Sequence, residues 1–325
     1  MGMKKLLYFF LLTSVLSFGQ SADSLYTEVD TRVANYPKSF SSVKAFAERI
    51  QSDYKIPELQ ARAAFTWISK NVAYDLNLMR AVKQKAPASF SFRTEAEKLQ
   101  KQRERITADA VQTLKSKRGV CQGYSSLFYE VCDQLGIPVK MIPGASKSML
   151  THIGKLPEDE DHVWNKIYLN DKWELVDVTW AAGIITGEKP KFEFRFNPAY
   201  FCTPAELFAF THFATAEAER ETGMTAQEFA DLPLYYGSYL LANFDLETPI
   251  TAFLKPRAND ILLRLNFLPE NAKVGLRYSM GNEFIPLELT YFDDYATVTL
   301  PQTPTGGYAT LYINGRSVVS WRIKN

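Results

Sequence analysis

Cys121 is the residue of this chain whose type and setting point most directly to chemistry. It lies between Gly119 and Gly123, ahead of apolar residues at helical spacing, Leu127, Phe128, Val131 and Leu135. A cysteine in the first turn of a helix lies beside backbone N–H groups and the positive end of the helix dipole, which favour the nucleophilic thiolate. The alternative is an inert cysteine that packs as a small hydrophobic residue.

A predicted β-hairpin supplies two partners for such a cysteine. We expect strands at His162–Leu169 and Lys172–Trp180, joined by a two-residue turn at Asn170-Asp171. Counting back from this turn places His162 opposite Thr179, so that Asp177 is its diagonal neighbour on the same face, about 7–8 Å away at the backbone. A three-residue turn would move one strand's side chains to the other face and break the arrangement.

Together these residues fit nucleophilic catalysis. Cys121 would be the nucleophile and His162 the base that takes its proton, while Asp177 would orient the imidazole and stabilise the imidazolium. The backbone N–H of Cys121 is a candidate oxyanion donor. Each residue also has an ordinary alternative, a surface or hydrogen-bonded histidine and an aspartate that closes a turn.

Metal and cofactor chemistry find less support in the sequence. His152 and His162 flank a loop rich in carboxylates, but a spacing of ten residues matches no regular ligand pattern. The sequence contains no Gly-rich phosphate loop or dinucleotide-binding fingerprint. We therefore expect no metal and no cofactor, and we interpret His212 as a packed residue of an aromatic helix.

The first 19 residues have the layout of a secretory signal peptide. Lys4 and Lys5 precede an apolar run from Leu6 to Phe18, which is shorter than the roughly 20 residues of a membrane-spanning helix. We expect an exported protein, periplasmic, cell-surface or secreted, with no stable membrane anchor.

The charge balance narrows the possible partners. Removal of residues 1–19 would leave 35 basic and 36 acidic residues. This balance argues against nucleic acid as a partner and leaves a protein or peptide substrate as our expectation, with the oligomeric state open.

Hydrophobic periodicity predicts helices around the cysteine. We expect helices from Val43 to Ile50 and from Pro57 to about Asn71, and a short helix capped by Thr107 that ends near Gly119. The cysteine helix should run from the Gly119–Gly123 region to Gly136, followed by a strand at Val139–Ile142 and a polar loop to Asp161.

In the rest of the chain the pattern of apolar and polar residues changes twice. Residues 192–244 have an aromatic-rich helical pattern, in which Pro204 opens one helix and Thr225 caps another. After about Pro249 the pattern becomes short alternating runs separated by turns, which is typical of a small antiparallel sandwich. We predict three parts, a signal peptide at 1–19, a catalytic-type domain with a helical continuation at 20–245, and an immunoglobulin-like sandwich at 246–325.

The chain contains three cysteines. If Cys121 and Cys132 share one helix, eleven residues separate them by ~16 Å, too far for a disulfide. At least one thiol must therefore stay unpaired within the monomer, and Cys202 could pair with either of the other two.

Three sequence blocks resemble the signature of a known family. They are residues 119–124 (GVCQGY), 162–165 (HVWN) and 173–180 (WELVDVTW), which in this order resemble the transglutaminase-like superfamily, in particular the branch that contains kyphoscoliosis peptidase and its bacterial relatives. The resemblance covers roughly residues 55–182, and residues 200–234 match more weakly. It implies an α+β, papain-like cysteine fold with Cys121 as nucleophile, His162 as base and Asp177 as orienting acid.

The resemblance leaves the reaction open. A thioester intermediate can be resolved by water, giving a peptidase or amidase, or by an amine, giving a transglutaminase-type acyltransferase. A catalytically silent protein-binding or scaffold module of the same fold is the alternative. The last residues, 306–324, also faintly resemble the C-terminal sorting domains of some secreted proteins, but a plain immunoglobulin-like domain is the preferred interpretation.

Overall fold

The computed structural model of the protein describes residues 24–83, 92–242, 244–248, 251–281 and 283–325. The predicted signal peptide at 1–19 lies outside these residues. The chain divides into two compact units whose segments alternate along the sequence. Of the described residues, the first unit takes those within 24–141, 165–173 and 177–196, and the second unit takes those within 142–164, 174–176 and 197–325.

Helices dominate the first unit. The helices α2 (Val43–Asp53) and α3 (Pro57–Asn71) confirm the sequence prediction, with Pro57 at the first turn of α3. Their buried faces meet at Phe46 and Trp67, whose ring centroids lie 4.6 Å apart. The other helices and short strands of this unit are α1 (residues 24–33), β1 (Ala73–Tyr74), α4 (Leu76–Lys83), α5 (Glu95–Ser116), β2 (Arg118–Gly119), α6 (Cys121–Gln134), α7 (Val178–Ala182), β6 (Gly183–Thr186) and β7 (Lys191–Phe194).

The prediction of a short helix capped by Thr107 is wrong. Helix α5 starts thirteen residues earlier in the chain, where the Thr94 side chain accepts a hydrogen bond from the Glu97 backbone, and runs through Thr107 without a break. It ends at Lys117, which has left-handed φ of 53°. Ion pairs to α6 support the added length, because Arg103 bonds Glu130 and Asp133. These partners lie about 30 positions along the chain, so local patterns did not indicate them.

One sheet has five strands in the order β8-β5-β4-β3-β9. The prediction for β3 was too short, because the strand continues to Ser146 and pairs there with His212. The two-residue turn between β4 and β5 is confirmed, since Asn170 and Asp171 have φ of 49° and 63°, as a type I′ turn requires. The strands are β3 (Val139–Ser146), β4 (His162–Leu169), β5 (Lys172–Val176), β8 (Phe201–Thr203) and β9 (His212–Ala214).

The predicted strand from Lys172 to Trp180 is too long. Strand β5 ends at Val176, and Val178 begins helix α7. Thr179 is therefore helical and cannot pair with His162 across a hairpin, so the register argument for Asp177 is wrong. The Asp177 side chain caps the helix by accepting hydrogen bonds from the N–H groups of Thr179 and Trp180.

The helical reading of residues 192–244 is mostly wrong. Several extended stretches of this segment pair with strands distant in sequence, β8 with β5, β9 with β3 and β10 with β19, and this pairing overrides the local periodicity. The two predicted helix starts are correct, at Pro204 and at Thr225, where Thr225 and Glu228 form a capping box. The short helices are α8 (Ala205–Phe208), α9 (Ala226–Ala230) and α10 (Gly237–Leu240).

The C-terminal region is strand-rich, as predicted. One sheet has the order β10-β19-β18-β14-β15, with β12 also paired to β19, and the other has the order β11-β13-β17-β16. Their buried residues form a common core that includes Leu265, Leu311 and Trp321. The strands are β10 (Leu234–Tyr235), β11 (Asp245–Thr248), β12 (Phe253–Leu254), β13 (Leu262–Asn266), β14 (Val274–Tyr278), β15 (Phe284–Pro286), β16 (Thr290–Tyr291), β17 (Tyr295–Thr299), β18 (Tyr308–Ile313) and β19 (Arg316–Ile323).

Two further observations bear on the sequence predictions. Over the part of the chain that the structure describes, no helix is both long enough and apolar enough to cross a bilayer. Cys121, Cys132 and Cys202 form no disulfide bond.

Candidate functional site

Cys121 is the first residue of helix α6 and is half-buried. Val120 before it has extended backbone geometry, so the chain turns into the helix at the cysteine. At this position the N–H of Cys121 has no acceptor within its own helix, and it points outward with the positive end of the dipole. The predicted setting of the thiol, at a helix start, is therefore present.

Both glycines around Cys121 allow helices α5 and α6 to approach each other closely. A Cβ atom at Gly123 would lie 2.4 Å from Thr113 Oγ1, and one at Gly119 would lie 3.3 Å from the same side chain. The Gly-x-Cys-x-Gly pattern thus has a packing cause. It fixes where the first turn of α6 lies against α5.

Two polar contacts hold helix α6 from other directions. The hydroxyl of buried Tyr124 donates to the carbonyl of Val72 after helix α3, and burial raises the pKa of this phenol far above its usual value. Asn165 of β4, which has no exposed surface, donates from Nδ2 to the Ser125 carbonyl of α6 at 3.1 Å and to the Lys140 carbonyl of β3 at 3.4 Å. The cysteine helix is thereby tied to both strands.

His162 is the first residue of β4 and is 7 % exposed. The loop before it is closed by Asp161, whose carboxylate accepts hydrogen bonds from the backbone N–H of Ser146 at 2.7 Å and from its hydroxyl at 3.2 Å. This contact returns the chain to β3 at the point where β4 begins. The imidazole of His162 lies beside the rings of Trp164 and His212, with centroid distances of 6.1 and 5.4 Å.

Asp177 is wholly buried between β5 and α7. Its Oδ1 accepts hydrogen bonds from the backbone N–H groups of Thr179 at 2.8 Å and Trp180 at 2.9 Å. The ordinary alternative considered from the sequence, an aspartate that closes a turn, thus describes part of what Asp177 does.

His162 and Asp177 belong to one group of side chains. Donor atoms of His162, Asp177 and His212 lie within 4.8 Å of one another. His162 and Asp177 are therefore neighbours as the sequence predicted, although a helix cap rather than a strand register holds the aspartate. All three residues are buried.

This group also has the composition of a metal site. Two histidines and one carboxylate are a donor set that divalent first-row metals accept. Among residues in the described ranges it is the one cluster of three or more potential ligands, and it does not include His152. The Nδ1 of His152 lies 3.0 Å from the Ser146 carbonyl instead. The two histidines considered as metal ligands from the sequence, His152 and His162, are therefore not the two histidines of this cluster.

The sequence predicted His212 as a packed residue but did not predict that it lies beside His162. Phe208 stacks on the His212 ring at 3.9 Å, and Trp164 meets it edge-on at 5.1 Å. The packed interpretation is right, but His212 begins strand β9 and does not lie in a helix. The residues next to His212 in the sequence did not indicate that His162, 50 positions earlier, would lie beside it.

Comparison with known proteins agrees with the sequence resemblance. Residues 44–178 match the family model of the transglutaminase-like superfamily. Kyphoscoliosis peptidase from Mus musculus is 32% identical over 155 residues, which are 47% of this chain and 20% of that protein. The Homo sapiens protein of the same name gives the same identity and coverage. The chain thus spans about a fifth of the length of the curated relatives it matches.

Solved structures give weaker likenesses. A structure described as a TGase is 15% identical, with a TM-score of 0.29 over 56% of this chain and 37% of that chain. The arylamine N-acetyltransferase from Salmonella typhimurium is 11% identical, with a TM-score of 0.27 over 93% of this chain and 86% of that chain. The family assignment rests on the sequence matches.

These findings define an α+β protein with a cysteine at a helix start and a buried pair of histidine and aspartate. Over residues 44–178 the chain is similar to the transglutaminase-like superfamily. The resemblance and the fold class predicted from the sequence are confirmed.

Proposed function

We propose that the protein is an exported cysteine hydrolase or acyltransferase that acts on amide bonds of proteins or peptides. Cys121 is the nucleophile, His162 the base and Asp177 the group that orients His162. The superfamily includes both cysteine peptidases and acyltransferases, so the domain supports this general chemistry without selecting between water and amine as the acceptor.

The proposed reaction has two halves. His162 takes the Cys121 thiol proton, and the thiolate attacks the amide carbon to form a tetrahedral intermediate. The C–N bond then breaks, and the imidazolium gives its proton to the departing amine, which leaves a thioester on Cys121. Water or a second amine attacks the thioester and loses a proton to His162. The C–S bond then breaks, which releases the carboxylic acid or the new amide, and His162 returns the proton to the sulfur.

The observation that carries the proposal is the position of Cys121. It begins helix α6 inside the matched domain and is half-buried, whereas Cys132 on the same helix has no exposed surface. Burial also raises the pKa of the Cys132 thiol, which keeps that sulfur protonated and unreactive. The N–H of Cys121 is suited to stabilise the oxyanion of the tetrahedral intermediate.

Export is part of the proposal and is supported by the sequence of residues 1–19. A basic start, a short apolar run and small residues near Gly19 are typical of a signal peptide. The substrates would then be proteins or peptides of the cell envelope or the surroundings.

Mass spectrometry of a casein peptide mixture, with and without added glycine ethyl ester, tests this function. We expect shortened or deamidated peptides without the amine, or amine-modified peptides with it. Cys121→Ala should reduce both by at least a thousandfold, because no thioester can form. Cys132→Ala is the matched control and should retain turnover.

Products that persist unchanged in Cys121→Ala would exclude the thioester mechanism. If the wild-type protein forms no product but captures peptides to the same extent with and without Cys121, the non-catalytic binding role replaces the enzyme.

A further inference from the structure

One face of the hairpin formed by β6 and β7 is apolar and exposed. In the strand register Gly183 lies opposite Phe194, and Ile185 lies opposite Phe192. Opposite residues of an antiparallel pair share a face, as do residues two apart on one strand, so Ile185, Phe192 and Phe194 lie together. We call these three residues the hairpin patch. Ile185 is 49 % exposed and Phe194 is 54 % exposed, whereas Phe192 is half-buried.

The other face of the same hairpin is mostly polar. It carries Ile184, Thr186, Lys191 and Glu193, of which Ile184 alone is a large apolar residue. The apolar side chains of the hairpin are therefore concentrated on one face. Adjacent apolar side chains that stay this exposed are a feature of binding surfaces, whereas single ones are ordinary.

Aromatic rings connect the hairpin patch with the cysteine helix. Phe194 meets Phe192 edge-on, with ring centroids 5.0 Å apart. The centroid of Tyr74 lies 6.4 Å from that of Phe192 and 6.5 Å from that of Tyr124. Tyr124 follows Cys121 by three residues in helix α6. A row of four rings thus leads from the surface of the hairpin to the first turn of the cysteine helix.

The backbone supplies a second connection to the cysteine. Tyr74 of β1 pairs with Gly119 of β2, and the N–H of Asp75 donates to the Gly119 carbonyl at 2.9 Å. Gly119 precedes Cys121 by two residues. All these residues belong to the first unit. The hairpin patch is therefore joined to the proposed nucleophile by direct contacts within one compact unit.

The size of the hairpin patch indicates what it can hold. Ile185 and Phe194, each about half exposed, together offer on the order of 200 Å² of apolar surface, because a large aromatic side chain buries about 150–250 Å² when it is wholly covered. Each partner of a stable protein complex contributes about 800 Å². The patch is too small to hold a second copy of the chain by itself, but it fits one side chain of an extended peptide.

We propose that Ile185, Phe192 and Phe194 form a subsite that binds an aromatic or large aliphatic side chain of the peptide substrate. Burial of that side chain against the patch removes apolar surface from water on both molecules and so favours peptides that carry it. The inference rests on the proposed function and adds to it a preference for substrates with an apolar side chain.

Fluorescence anisotropy of labelled peptides tests the subsite without requiring turnover. The parent protein is full-length Cys121→Ala, which cannot consume the peptide through a thioester. The probes are fluorescein-labelled decapeptides of glycine, serine and glutamine that differ only in one central residue, which is phenylalanine, leucine, serine or glutamate. Phe194→Ser is added to the parent to remove the most exposed ring of the hairpin patch.

Ile184→Ser, added to the same parent, is the matched control. Ile184 lies on the other face of the same hairpin and is 36 % exposed. Both replacements put serine in place of a large apolar residue of one hairpin, so a general effect on the fold of the hairpin would weaken binding in both variants alike.

We expect the parent to bind the phenylalanine and leucine peptides at least tenfold more tightly than the serine and glutamate peptides, the scale of burying part of one large apolar side chain. Phe194→Ser should reduce this preference at least fivefold, whereas Ile184→Ser should keep it. A smaller preference in the parent, a smaller reduction in Phe194→Ser, or an equal reduction in Ile184→Ser would overturn the inference.

Sedimentation velocity of the wild-type protein tests the other occupant, a second copy of the chain. A dimer that Phe194→Ser converts to a monomer would overturn the inference, because the partner would then cover the hairpin patch. We expect the two proteins to sediment alike.

Product formation by the wild-type protein separates this inference from the proposed function. Products that depend on Cys121, formed equally from the phenylalanine and serine peptides, would reject only the subsite. A binding preference that Phe194→Ser removes, without any product from the wild-type protein, would reject the enzyme and leave the hairpin patch as the apolar subsite of a peptide-binding module.

Discussion

Lys147 is a buried cation at the start of the loop that leads to His162. It is 1 % exposed, and its ammonium group donates hydrogen bonds to the carbonyls of Phe229, Ala230 and Leu232 at the end of helix α9. Burial lowers the pKa of Lys147 to about 7, while the negative charge of Asp231 acts in the opposite direction. The loop from 147 to 161 therefore begins at a residue whose charge is costly to bury.

The lowered pKa predicts how stability depends on pH. Between about pH 7 and the ordinary lysine value near 10.4, the unfolded chain binds a proton at Lys147 that the folded chain has lost. Stability should rise with pH across this window, by at most about 1.4 kcal/mol per pH unit, and the gain should be absent below pH 7. Urea unfolding of wild type and Lys147→Met from pH 6 to 10 measures this difference.

The replacement Lys155→Met at an exposed lysine of the same loop is the control. Its unfolding free energy should follow that of wild type at every pH. Parallel curves for wild type and Lys147→Met would show that Lys147 keeps an ordinary pKa in the folded protein.

At the scale of residues, the sequence indicated Cys121, His162 and Asp177 because residue type and order carry that information. Cys121 begins α6 and His162 lies close to Asp177, while the catalytic roles of the three residues stay a prediction. His212 could not be recognised in the same way. Its place beside His162 and Trp164 arises only in the folded sheet, where β9 pairs with β3.

Helices α5 and α6 form the tightest contact around the cysteine. Because a Cβ atom at Gly123 would lie 2.4 Å from Thr113 Oγ1, Gly123→Ala forces the two helices apart. We expect a loss of about 1–3 kcal/mol in unfolding free energy, the usual cost of overpacking a buried contact. Urea unfolding with a fixed m value measures it.

Thr113→Ala supplies the matching test. It removes Oγ1 and leaves the Thr113 Cβ 3.6 Å from the new methyl group, an ordinary contact. The double variant should therefore recover most of the stability lost in Gly123→Ala, helped by the better helix propensity of alanine. Costs that simply add in the double variant would mean that Thr113 does not set the requirement for glycine.

At the scale of elements, local patterns identified α2, α3, α6 and the turn at Asn170-Asp171, because apolar spacing, Pro57 and turn chemistry are all local signals. They failed where distant contacts decide. Helix α5 continues through Thr107 with ion pairs from Arg103 to helix α6, and the strands within 192–244 form through pairing with distant strands.

The whole molecule is built from segments that alternate along the chain. The second unit combines residues 142–164, 174–176 and 197–325, and within it β10 pairs with β19. Tyr235 of β10 and Trp321 of β19 belong to one buried core. Composition along the sequence marks the change to short strands after Pro249, but it cannot reveal that earlier segments join the same unit. The predicted boundary between residues 245 and 246 stays a prediction.

The proposed reactivity of Cys121 depends on the fold of the whole molecule. The proposed base, His162, lies 41 positions along the chain, so only the folded protein can bring it to the thiol. The first turn of α6 alone gives a helix dipole effect, which amounts to at most about 2 kcal/mol for a partly buried group such as Cys121. In the proposed mechanism the remaining rate enhancement comes from His162.

The most direct measurement is the rate of iodoacetamide labelling at Cys121 in the folded wild-type protein, in His162→Ala and in the wild-type protein unfolded by urea, all at pH 6. We expect labelling of folded wild type to be at least tenfold faster than in either of the other two, because the proposed base His162 can take the Cys121 proton only in the folded wild-type protein. Equal rates in all three samples would contradict the claim that Cys121 is an activated nucleophile.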